Sequence, residues 1–138
     1  MIPPERMKMR RSHEVPLTPQ VIAILETIRP LTGHCDYVFE SSRFANKPTD
    51  AETINKALGR IGFKNRTTAH GFRSLASTTL NEQGFDSDVI EAALAHADRN
   101  KIRSAYNRTT YLKRRRKMME WWSDHIEKAS HGSLSVAR

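Results

Sequence analysis

The strongest constraint on the fold is a succession of apolar residues at helical spacing, each run bracketed by its own start and stop signals. Thr18-Pro19 has the form of a cap followed by Pro at the first helical position; Val21, Ile24, Leu25 and Ile28 share one stripe behind it, and Pro30 stops the run. Thr49-Asp50-Ala51-Glu52 has the capping-box pattern, with Ile54, Ala57, Leu58 and Ile61 on the face that follows. A third run, Thr68 to Gln83, aligns Phe72, Leu75, Ala76 and Leu80 and stops at Gly84, a residue suited to a left-handed cap. Asp86 or Ser87 opens a fourth, whose buried face is Val89, Ile90, Ala93 and Leu94. Asn100 to Tyr106 predicts a short helix, and Thr110 to about Lys128 a longer one that turns Leu112, Met119, Trp122 and Ile126 inward.

Two stretches fall outside this periodicity. Residues Thr32 to Pro48 read as a long connection with one short apolar piece, Tyr37-Val38-Phe39, as a buried strand or turn. Arg6 to Leu17 carries Met7, Met9, Val15 and Leu17 among basic residues, an imperfect alternation that predicts two strands joined by a tight turn near Arg10 to Ser12. The expected fold is therefore mainly α with a small antiparallel β-hairpin, an α+β arrangement. Its expected layout is one domain over residues 1–128, with the hairpin at about 6–17 and a helical bundle at about 18–128, followed by a flexible tail at 129–138.

Composition narrows the function classes. No run approaches the roughly 18 to 20 consecutive apolar residues of a membrane span, and Met1-Ile2-Pro3-Pro4-Glu5-Arg6 lacks the basic-then-apolar layout of a signal peptide. A single cysteine, Cys35, has no partner for an internal disulfide or a thiolate metal site, which fits a reducing cytoplasm. The chain carries 23 Lys and Arg against 15 Asp and Glu, a net charge of +8. That charge is segregated: Asn81 to Asp98 holds five acidic residues and no Lys or Arg, whereas Arg99 to Met119 holds nine basic residues and no acidic one. Clustered cations gain from counterion release on a phosphate backbone, so nucleic acid is the leading partner, against the alternative of a solvated basic helix face. Arg10, Arg11, Arg99, Lys101, Arg103 and Arg108 are the expected DNA contacts.

Individually, the residues with chemical potential have ordinary explanations. His70 and Arg73, three apart on a helix, emerge about 60° from one another and can address one anionic group, yet such pairs are common on helix surfaces. His96 ends an apolar helix, where an imidazole commonly caps the last carbonyls, and Tyr106 has the reading of a core or hinge aromatic. Their order carries more weight. Thr68-Ala69-His70-Gly71-Phe72-Arg73-Ser74-Leu75-Ala76-Ser77-Thr78 resembles the His-x-x-Arg box of the tyrosine recombinases, the phage-integrase family. Ala93-Leu94-Ala95-His96 resembles its second histidine motif, usually written Leu-Gly-His. Ala105-Tyr106-Asn107-Arg108 sits where that family places its nucleophilic tyrosine, ten residues beyond the histidine. Tyr111-Leu112-Lys113-Arg114-Arg115 and Trp121-Trp122 look like integrases of the satellite-phage and genomic-island type, and the stretch from Arg6 to Leu17 resembles the family's β-hairpin with its lysine.

The resemblance implies site-specific recombination of double-stranded DNA at attachment sites of a mobile element. It makes Tyr106 the nucleophile that forms a 3′-phosphotyrosyl link and expels a 5′-hydroxyl. Arg73 would hold the nonbridging oxygens, His70 and His96 would complete the hydrogen-bonding shell, and Lys8 would be the acid for the leaving oxygen, with Arg10, Arg11 or His13 as competitors for that last role. The reaction conserves phosphodiester energy, so no metal, cofactor or small-molecule substrate is expected. Self-association on DNA is expected of the full-length protein. Tyr111 is the competing nucleophile, and Trp121 and Trp122 have a packing and a base-stacking reading. The family's first catalytic arginine, which precedes the hairpin, has no counterpart: Arg29 and Arg43 follow the hairpin, in the wrong chain order. The chain is thus expected to be the C-terminal part of a catalytic domain, with a noncatalytic DNA-binding or interaction module as the alternative. A type IB topoisomerase or relaxase-like enzyme fits the motif layout less well.

Overall fold

The computed structural model describes residues 1–7, 10–95 and 110–132, and their regular structure is helical. The helices are α1 (Pro19–Thr32), α2 (Glu52–Leu58), α3 (Ala69–Glu82), α4 (Ser87–Ala93) and α5 (Thr110–Ser130), with a 3-10 turn at Pro4–Arg6. Two compact units are present, one made of residues 1–18 and 77–138, the other of 19–76, and the boundary falls inside α3.

The first unit owes its cohesion to one apolar cluster. Leu80 of α3, Val89 and Ile90 of α4 and Met118 of α5 are buried together, Ile90 and Met118 completely. Phe85, Ala93, Leu94, Tyr111, Met119, Trp121 and Trp122 pack partly buried around them. Trp121 meets Phe85 edge-on at 5.3 Å between ring centroids and stacks on His125 at 4.9 Å, and Trp122 stacks on His125 at 5.6 Å, contacts that fit the packing reading of the pair. Gly84 takes a left-handed φ of 76°, the stop expected for α3. The Asp86 carboxylate then caps α4 by accepting from the Asp88 N–H at 2.8 Å, and it also accepts from Arg114 Nη2 of α5 at 2.7 Å. Those two donors hold the Asp86 carboxyl below the usual aspartate range, with the Arg114 contact the larger cause.

The inward face of α5 differs from the expected one. Of the four residues expected inward, Met119 and Trp122 pack partly buried against the core and Leu112 is half-buried, but Ile126 is half exposed; the fully turned-in positions are Arg115, Met118 and Ser123. Arg115, nine-tenths buried, donates from Nη2 to the Glu14 carbonyl and lies 3.5 Å from His13 Nε2. Burial pushes its guanidinium below the usual arginine range, and its Nε–H finds no acceptor. About two turns further on, Ser123 Oγ and the buried Thr18 Oγ1 share a hydrogen bond of 2.7 Å.

The expected β-hairpin is not formed, so the α+β assignment gives way to an all-helical one. Among the described residues no strand exists; the only pairings are two isolated antiparallel bridges, Ile2 with His13 and Glu40 with Pro48. Ile2 and His13 exchange both backbone hydrogen bonds, at 2.7 and 2.9 Å, but the ladder stops there. Pro3 and Pro4 have no N–H to continue it, and Pro4 instead occupies the first position of the 3-10 turn. The Arg10 N–H donates to the Met7 carbonyl at 2.9 Å.

In the second unit no residue from 19 to 76 is buried, and hydrogen bonding does more of the organising. α1 continues through Pro30 to Thr32, past the expected stop, with the Gly33 N–H reaching the Arg29 carbonyl at 2.7 Å. The connection after α1 is tied by Thr32 Oγ1 to the Val38 carbonyl at 2.8 Å and by Thr49 Oγ1 to the Glu40 carbonyl at 2.9 Å, so Tyr37-Val38-Phe39 is a bend, with Val38 and Phe39 exposed rather than buried. Glu40 accepts from the Asn46 N–H at 2.7 Å. A hydrogen bond with the Cys35 thiol, foremost, and the one from Asn46 lower its carboxyl, while the thiol is raised in return. At the start of α2 it is Asp50, not Thr49, that accepts from the Glu52 N–H, at 2.7 Å.

Candidate functional site

The first turn of α3 carries the His70–Arg73 pair, and several side chains fix where that turn begins. Asn55 of α2 accepts the Ala69 N–H at 2.8 Å through Oδ1 and donates to Glu52 Oε2 at 3.3 Å. Thr68 Oγ1 accepts the Gly71 N–H at 3.0 Å, removing another of the donors that a helix start leaves open. On this fixed turn His70 is exposed and Arg73 half-buried. Three-residue spacing sets the imidazole and guanidinium on neighbouring positions of one face, where a ring nitrogen and a planar fork of N–H donors can bind one phosphate from two sides.

Arg10 and Arg11 belong to the other unit, both exposed, Arg10 with a left-handed φ of 51°. Lys8, His96, Arg99, Lys101, Arg103, Tyr106 and Arg108 lie outside the described residues. The approach to His96 is described as far as Ala95, whose φ of 52° is left-handed. The resembled motif writes Gly at this point, and glycine is the residue that adopts such a φ at no steric cost. Tyr111, the competing nucleophile, is half-buried against the core cluster with its hydroxyl 3.4 Å from Asp88 Oδ2. That placement gives it a packing role. Among the described residues no three His, Cys, Asp or Glu side chains converge as a metal-ligand set, and no helix is long and apolar enough to cross a membrane.

Sequence reasoning passed over two features. Arg115 is interior, which a run of charged neighbours hides. The cations that precede His70, namely Lys56, Arg60, Lys64 and Arg66, are all exposed, and their signal was available: residues 53–81 contain five Lys or Arg and no carboxylate.

A helical chain that starts a helix with this His–Arg pair and follows it with the second histidine box matches a known class. The sequence profile of the Phage integrase family matches residues 1–113, and the chain belongs to that family. It is 51% identical over 133 residues to the prophage integrase IntA of Escherichia coli, covering 96% of this chain and 32% of IntA. It is 44% identical over 133 residues to the prophage integrase IntZ of Escherichia coli (96% and 33%), and 37% identical over 122 residues to the integrase of Shigella phage Sf6 (88% and 32%). The chain thus spans about a third of the length of these curated relatives. No solved structure matches it at comparable stringency.

Proposed function

We propose that this chain is the C-terminal catalytic segment of a site-specific DNA recombinase that integrates or excises a mobile element, acting on double-stranded DNA at its attachment sites. The supporting observation is that the family match runs unbroken through the lysine stretch, the His70–Arg73 turn, the His96 box and Tyr106. In this reading the Tyr106 hydroxyl oxygen attacks the scissile phosphorus. A P–O bond to the tyrosine forms as the bond to the 5′-oxygen breaks, leaving a 3′-phosphotyrosyl link and a 5′-hydroxyl. Arg73, steadied on α3, offsets charge on the nonbridging oxygens. His70 and His96 donate to the same phosphate or take the tyrosine proton, and Lys8 protonates the departing 5′-oxygen. Energy stored in the phosphotyrosyl bond is returned when a second 5′-hydroxyl attacks it, so the cycle needs no nucleotide. Arg10, Arg11, Arg99, Lys101, Arg103 and Arg108 engage flanking phosphates, and the full-length protein self-associates on DNA.

The family's first arginine has no counterpart in these 138 residues. Loss of one oxyanion-stabilising group commonly costs about two to three orders of magnitude in rate. The chain alone is therefore expected to form little covalent adduct with nicked suicide duplexes made from its element's ends, and a version extended upstream through that arginine is expected to form it readily. Tyr106→Phe abolishes the adduct in the extended protein, whereas Tyr111→Phe retains it. No adduct in either protein would favour a noncatalytic binding module.

A further inference from the structure

The stretch from Thr53 to Asn81, which leads into and carries the His70–Arg73 turn, holds five Lys or Arg and no carboxylate. Lys56 and Arg60 lie four apart along α2 and its continuation, a π-helical turn at Gly59–Phe63, and so occupy one face. Beyond it Gly62 takes a φ of 90°, a conformation a side chain would oppose, and Asn65 a φ of 62°. These two residues bracket Lys64 in a tight reversal that the Phe63 carbonyl closes by accepting from the Arg66 N–H at 3.0 Å. The Arg66 guanidinium carbon sits 5.3 Å from the centre of the Phe63 ring, an arrangement that restrains the side chain without neutralising it.

Charge pairing separates these cations from Arg29 and Arg114. Arg29 is paired with Glu26 at 3.2 Å and Arg114 with Asp86 at 2.7 Å. Lys56, Arg60, Lys64 and Arg66 are exposed and have no carboxylate partner among the described residues. Concentrating unpaired cations costs repulsion, and a polyanion relieves it. We infer that Arg60, Lys64 and Arg66 form a ridge that grips the phosphate backbone of duplex DNA beside the phosphate addressed by His70 and Arg73, an inference that rests on the recombinase reading. Contacts of this kind orient the duplex and carry no sequence information, so the ridge serves every target sequence alike.

Salt dependence tests the ridge. Each phosphate contact on B-DNA adds about 0.9 to the steepness of log affinity against log salt. Anisotropy titrations of the full chain with a labelled duplex of arbitrary sequence, between 50 and 200 mM salt (roughly the range over which such slopes are resolved), are compared with Arg60→Gln/Lys64→Gln/Arg66→Gln. The triple variant is expected to be shallower by about 1.8 to 2.7. The double variant Arg60→Gln/Lys64→Gln keeps the Arg66–Phe63 stacking and is expected to be shallower by about 1.8, with circular dichroism confirming retained helix in both. A charge-matched comparator, Arg6→Gln/Arg29→Gln/Lys128→Gln, is expected to leave the slope in place. Equal loss of slope in ridge and comparator variants, or no loss in the ridge variants, overturns the ridge while the Tyr106 adduct assay still stands for the recombinase reading. A chain that binds no duplex at any salt overturns both.

Discussion

The two units achieve order by different means. In the first, four buried apolar side chains from three helices are sealed by partly buried aromatics, and two long-range polar contacts fasten residues 13–18 to α5. In the second, which carries His70 and Arg73, no residue is buried, and Asn55, Thr32, Thr49, Asp50 and Thr68 tie the backbone by side-chain hydrogen bonds. Hydrogen bonds at exposed positions contribute about 1 kcal/mol each at most, because water competes for the same groups, whereas a buried aliphatic side chain contributes two or three times as much. The unit that presents the His70–Arg73 turn is therefore the one whose backbone opens more easily.

This contrast predicts its own failures. Ile90→Ala removes a wholly buried side chain and is expected to cost about 2 to 5 kcal/mol, whereas Ile54→Ala, at a half-exposed site in the second unit, is expected to stay within about 0.5 kcal/mol. Urea titration followed by tryptophan fluorescence reads the first of these directly, since Trp121 and Trp122 both sit in the first unit. Equal costs at the two sites would erase the distinction between the units. Next in size, Asn55→Ala is expected to cost about 1 kcal/mol by freeing the Ala69 N–H, and to speed hydrogen exchange across the first turn of α3 while leaving α4 and α5 protected.

The smallest effect concerns Asp86. Asn retains the cap but loses the ion pair to Arg114, so Asp86→Asn is expected to cost about 0.5 kcal/mol or less near neutrality. Because the folded state holds this carboxyl below its ordinary value of 3.8, its contribution is complete above that value and is lost as pH falls through the lower folded one. Urea midpoints measured from pH 6 down to about 2 should thus converge for wild type and Asp86→Asn. A constant gap across that range would show that the pair is irrelevant to acid stability.

What was legible in the sequence followed from short-range signals. Val89 and Ile90 announce the core because an apolar pair behind a capping Asp has few alternatives, and Gly84 marks the end of α3 by its backbone freedom. His70 and Arg73 were legible as a pair because helical spacing alone sets their relation. The face of α5 is legible only in part, in Met119 and Trp122, because the residues at two of its buried positions, Arg115 and Ser123, are polar, and only long-range partners make their burial tolerable. Alternation of Met7, Met9, Val15 and Leu17 suggested paired strands, yet Pro3 and Pro4 limit the pairing to a single bridge. The unpaired cations from Lys56 to Arg66 were visible as letters, but their isolation from carboxylates is a property of the folded chain.

The clasp between the N-terminal segment and α5 has a consequence for the order of events during synthesis. Glu14 and Arg115 are 101 positions apart, and Thr18 and Ser123 105. Residues 13–18 are synthesised about a hundred positions ahead of the helix that holds them, whereas the contacts of residues 19–76 lie within their own unit. Closing so wide a loop is the slow, entropically opposed kind of step. The first unit is therefore completed only after its last helix has been made.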